Sequence, residues 1–105
     1  MTDKPKLTEE EQQLAASAQD AHNLIELCNT NGWKYIRKAY FDVRLKECKD
    51  YLQDPANTDI ADIQGKRFVL EFIQTLLDEI DVRVKVGLAD EEDLEEIKEK
   101  RGNKC

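Results

Sequence analysis

The sequence predicts an all-α protein. A long antiparallel helical hairpin, about 33–53 and 59–86, carries an N-terminal helix of about 9–28 packed on it like a three-helix bundle, with a short acidic helix at the end. Three observations predict this. Aliphatic residues recur every seven positions at Ile63, Leu70, Leu77 and Val84, the mark of a helix that buries one seam. Only 4 glycines and 2 prolines occur in 105 residues, too few for the turns of a sandwich or barrel. Charged residues make up 37% and hydrophobic residues 40%, a balance that suits amphipathic helices around a modest core. At this length a single helical domain over 1–105 is expected, with 1–7 and 100–105 frayed.

The first helix begins at a capping box. Thr8 and Glu11 stand three apart, so each side chain can accept from the other's free backbone N–H. Leu14, Ala18, Ala21, Ile25 and Cys28 then follow a 4-3-4-3 spacing on one face, and the small residues among them permit close packing. Asn29-Thr30-Asn31-Gly32 ends the helix and turns the chain.

The second helix runs from about Trp33 to Gln53 and stops at Asp54-Pro55, because proline disfavours helical geometry in the residue before it. It holds five of the seven aromatics: Trp33, Tyr35, Tyr40, Phe41 and Tyr51. The third helix starts near Thr58 or Asp59, both good N-caps. It carries the seven-residue repeat, flanked by Val69, Ile73, Leu76 and Ile80, to Val86 before Gly87. Val82 to Val86 also alternates with period two, and an edge strand there would need a partner from another chain. Asp90 caps the last, acidic helix, whose apolar edge is Leu94 and Ile97. The short link at Pro55-Ala56-Asn57 makes the second and third helices antiparallel. Residues summing to about 112 should then face each other: Leu52 with Ile60, Cys48 with Ile63, Leu45 with Phe68, Phe41 with Phe72, Ile36 with Leu76 and Trp33 with Ile80.

Composition also excludes functions. With 16 Lys+Arg against 23 Asp+Glu, net −7, bulk polyanion binding meets repulsion. A basic stripe from Lys34 to Lys49, with Trp33 and Tyr35 as stacking groups, is the one place nucleic acid could use; pairing with acidic faces of this or another copy is the stronger expectation. No apolar run exceeds three residues, against about 20 for a membrane span. No membrane association or secretion is expected, and the chain reads as soluble and intracellular when made. Cys28, Cys48 and Cys105 are odd in number and far apart, which fits reduced thiols, the first two as small core hydrophobes.

No catalytic, cofactor or metal residues can be named. His22 is the only histidine and has no Ser, Cys or Asp in a recognisable arrangement beside it. No C-x-x-C, H-x-x-x-H or E-x-x-H spacing is present for zinc. Gln64-Gly65-Lys66-Arg67 lacks the strand and the further glycines of a phosphate loop, so Gly65 is expected to admit a close helix neighbour. Arg37 and Arg44, seven apart, fall on one face among the aromatics. Their stems either lie over the rings, or they anchor an interface of the arginine–aromatic kind. The interface candidates are Trp33, Arg37, Tyr40, Arg44, Gly65, Val82, Val84 and Val86.

Gly32-Trp33, the basic-aromatic helix, Gln64-Gly65-Lys66-Arg67 and the aliphatic helix Phe68 to Ile80 together resemble small helical-hairpin proteins from structural gene clusters of tailed bacteriophages. Those often show a Gly-Trp opening and a Gln-Gly-x-Arg/Lys element before an aliphatic helix. The likeness covers about Gly32 to Gly87 and implies a virion-associated or assembly setting. The expected function is a non-enzymatic, self-associating assembly or interaction protein, with its own copies, other virion proteins or a host protein as partners and no cofactor. The alternative is a small acidic regulator or inhibitor of a host protein.

Overall fold

The computed structural model describes residues 7–102, and every regular element among them is helical. Helix α1 is Glu9–Cys28. Helix α2, Asn31–Ile36, leads through a π-helical turn, Arg37–Phe41, into α3, Asp42–Gln53. Helix α4 is Ile60–Gly102. The contacts gather into two compact units, residues 1–26 with 82–105 and residues 27–81, so α4 gives its first part to one unit and its last part to the other.

Local chemistry accounts for the ends. Thr8 caps α1, its Oγ1 accepting from the Glu11 N–H at 3.1 Å. The reciprocal half of the expected box is replaced, because the Glu11 carboxylate pairs with Arg101 and accepts the Thr8 hydroxyl at 3.2 Å. Thr30 caps α2, its Oγ1 accepting from the Trp33 N–H at 3.2 Å, two residues earlier than the predicted start. In the turn before α4, Asp54 Oδ1 accepts from the Ala56 N–H at 2.9 Å, and the Asn57 side-chain amide donates to the Tyr51 carbonyl at 2.9 Å. Asp59 then caps α4 through the Asp62 N–H at 3.1 Å.

In the unit of residues 27–81, α2, the π turn and α3 form one arm of a hairpin and the start of α4 the other. Its buried side chains are Cys48, Ile73 and Leu77, with Trp33, Phe41, Leu45, Leu52, Ile63, Leu70 and Ile80 half-buried around them. The heptad Ile63, Leu70, Leu77 does face inward as predicted. The pairing of Phe68 with Leu45 and of Phe72 with Phe41 does not hold, since these two rings are 70% and 62% exposed. At about 100° per residue both lie roughly 160° around the helix from Leu70, so they cannot share its face. Ile60, paired with Leu52 in the sequence reading, is exposed as well.

In the other unit, α1 runs antiparallel to the last part of α4. Ala18, Ala21 and Leu94 are buried, and Leu14, Val84 and Ile97 half-buried. Here the sequence reading needs correction. Gly87 does not end a helix and no separate acidic helix follows it, whereas Val82 to Val86 is helical, as the third helix drawn to Val86 predicts. Within this unit Val84, Gly87, Glu91 and Leu94 follow one another at 3-4-3 spacing along a single helix. A Cβ at Gly87 would overlap the Ala21 Cβ and lie 2.5 Å from the Ser17 carbonyl oxygen, so this glycine is required by the closeness of α1. Helix continues to Gly102, past Lys100 where fraying was expected; 1–6 and 103–105, with Cys105, lie outside the described residues.

Candidate functional site

The basic-aromatic segment begins at the turn that Thr30 caps. Trp33 packs edge-to-face on Phe41, centroids 5.9 Å apart, and Tyr35 packs in the same way on Tyr40 at 6.0 Å. The first pair is half-buried, whereas Tyr35 and Tyr40 are 64% and 55% exposed. Cys28, Trp33, Lys34, Arg37, Lys38 and Asp42 line a shallow groove open to solvent.

Between Arg37 and Arg44 the Asp42 N–H bonds back to the Arg37 carbonyl, a wide turn that rotates the chain less per residue than an α-helix does. The two arginines, expected to stack seven apart, are therefore out of phase. Arg44 instead pairs with Glu47 on its own helix at 3.0 Å, and such an exposed pair contributes little. Gly65, expected to admit a close neighbour from α1 or from another copy, is exposed with nothing within 4 Å of where a Cβ would stand, so among the described residues no helix of its own chain approaches it. Val82 and Val86 point outward while Val84 is half-buried against its own unit.

Sequence reasoning missed the outward face of α4 on the hairpin. Phe68 and Phe72 stack there, ring planes 20° apart and centroids at 6.3 Å, in solvent. The signal is present as a second 4-3-4-3 series, Ala61, Gly65, Phe68, Phe72 and Thr75, opposite the first; the size and apolarity of the two rings suit a core position equally well. On the hairpin's edge, the Tyr51 ring receives Lys66 Nζ at 5.6 Å from its centroid. Desolvation, and then the charges of Asp62 and Asp59, push its hydroxyl pKa up.

The other polar arrangement belongs to the unit built on α1. Glu11 is 3% exposed and paired with Arg101, and among the described residues its second oxygen, Oε2, has no hydrogen-bond partner. The Arg101 hydrogen bond holds its carboxyl below the ordinary value of 4.5, outweighing desolvation, with Thr8 assisting. His22 is exposed and pairs with Glu91. These groups tie α1 to the end of α4. Among the described residues no three His, Cys, Asp or Glu side chains gather to hold a metal, and no helix is long and apolar enough to cross a membrane. Cys48 is buried and Cys28 half-buried, both free thiols.

No known protein family, curated protein or solved structure matches the chain. The side chains facing outward include large apolar groups, arginines and carboxylates.

Proposed function

We propose that this protein is a non-enzymatic helical assembly protein that self-associates through its outward apolar faces. One observation carries the reading. Among the described residues twelve large hydrophobic side chains are exposed, from Leu27 to Leu88, against six buried hydrophobic ones. Exposed apolar side chains scattered singly are ordinary, but contiguous ones such as Phe68 with Phe72 and Tyr35 with Tyr40 mark contact surfaces. The phage structural setting rests on the resemblance across Gly32 to Gly87, and within it the role is a component or helper of virion assembly. Native mass measurement and sedimentation of the purified chain test this reading: a closed oligomer is the expected result, and a monomer at every concentration refutes it.

A second reading, an acidic regulator that occupies a basic cleft on a host protein, is favoured by the exposed carboxylates of Glu92, Asp93, Glu95, Glu96 and Glu99 on one stretch of α4. It predicts a monomer or dimer that captures one host protein, lost when these residues are changed to their amides and weakened steeply by salt.

A further inference from the structure

We infer that the outward face of α4 from Ala61 to Leu76 is the seat of a second copy of this chain, packed antiparallel about a two-fold axis beside Phe68. This rests on the self-association proposed above and gives it a partner, a face and a register.

The seam Ala61, Gly65, Phe68, Phe72, Thr75 has the 4-3-4-3 spacing of a coiled-coil contact, on the side of α4 opposite the buried Ile73 and Leu77. Taking about 200 Å² per phenylalanine, the exposed parts of Phe68 and Phe72 alone offer roughly 260 Å² on each copy. Ile60 and Val69, 72% and 37% exposed, flank them. The two copies together approach the roughly 1,000 Å² at which specific interfaces begin.

Size and charge select the orientation. With residue numbers adding to about 137, Gly65 stands opposite the partner's Phe72, Ala61 opposite the partner's Thr75 and Leu76, and Phe68 meets the partner's Phe68 at the axis. Small residues at one end of the seam thus receive large ones from the other end. The space over Gly65 is open, and nothing in its own chain explains a glycine in the middle of an exposed helix; a ring from a second copy does. On the flank, Arg67 comes opposite the partner's Glu71 twice, once on each side of the axis. Both residues are exposed, and among the described residues neither enters an ion pair within its own chain. A parallel pair in register would set Phe72 on Phe72, leave a gap at Gly65 and oppose like charges.

The test uses full-length chains carrying Cys28→Ser and Cys105→Ser, with the buried Cys48 kept. Ala61→Cys and Thr75→Cys chains are mixed under mild oxidation. A mixed disulfide dimer is expected and neither chain should cross-link to itself, because identical positions stand about 20 Å apart along an antiparallel pair at 1.5 Å per residue. Neither substitution touches the core. In parallel, Phe72→Ala should raise the dimer dissociation constant at least about 30-fold with helicity unchanged, and Arg67→Glu should weaken the dimer while Arg67→Glu with Glu71→Arg restores it. Self-cross-linking of Thr75→Cys, or no cross-link in a wild-type oligomer, overturns this arrangement and leaves self-association standing. A wild-type monomer at all concentrations overturns both.

Discussion

Two glycines inside α4, Gly65 and Gly87, should respond with opposite signs to the same substitution. Replacing an interior helical glycine by alanine ordinarily stabilises by about 0.5–1 kcal/mol, through lower unfolded-state entropy and better helix propensity. At Gly65 nothing lies within 4 Å of the added carbon, so Gly65→Ala should realise that gain. At Gly87 the added carbon would sit 2.5 Å from the Ser17 carbonyl oxygen and also overlap the Ala21 Cβ, where ordinary contact is 3.4 Å or more. Neither neighbour can rotate away, one being backbone and the other a side chain of one carbon. Helix α1 must therefore retreat by about an ångström along a seam that buries Ala18, Ala21 and Leu94. Strain of this kind costs about 1–3 kcal/mol, and a double overlap belongs at the upper end, leaving a net loss of about 2 kcal/mol after the propensity gain. For a chain of this size the midpoint should fall by roughly 10 °C for Gly87→Ala and rise by about 4 °C for Gly65→Ala. Thermal melts followed by circular dichroism at low protein concentration decide it, and stabilisation by both substitutions would refute the close approach of α1 to α4.

Further outcomes follow from the same geometry. Glu11 is held ionised by Arg101, so its contribution to stability is present above its ordinary value of 4.5 and is lost as pH falls through the lowered folded value. Urea midpoints measured across the acid range should show that loss in the wild type and a flatter limb in Glu11→Gln. Leu77→Ala should cost about 2–4 kcal/mol by opening a cavity, whereas Phe72→Ala should leave the stability of the isolated chain within about 0.5 kcal/mol. Equal losses in denaturant titrations would place Phe72 in the core after all. Under native conditions a thiol reagent should modify half-buried Cys28 well before buried Cys48, and equal rates would contradict the packing of α3.

Much of the secondary structure was legible from residue spacing because helix ends are decided locally. Thr8, Thr30, Asp54 and Asp59 each satisfy free backbone groups within a few residues, and that chemistry can be read from the chain. The heptad through Ile63, Leu70 and Leu77 likewise identified one buried face of α4. The candidate site was legible only in part. Trp33 and Tyr40 lie on the aromatic segment as expected, but the π turn put Arg37 and Arg44 out of phase, and a single hydrogen bond from Asp42 to the Arg37 carbonyl leaves no mark in the spacing.

What the chain alone determined is the helical class, the turn around Ala56 and the existence of apolar stripes, since these depend on periodicity and on turn chemistry. What only the tertiary structure decided is which stripe is covered. The two series on α4 are both apolar, and spacing cannot say that Leu77 is buried while Phe72 faces water. Nor can it say that Gly87, which reads as a stop, sits where α1 comes too close for any side chain. The physical reason is the same in both cases: burial and close approach are properties of a pair of helices, and the partner's position is absent from the pattern of either one.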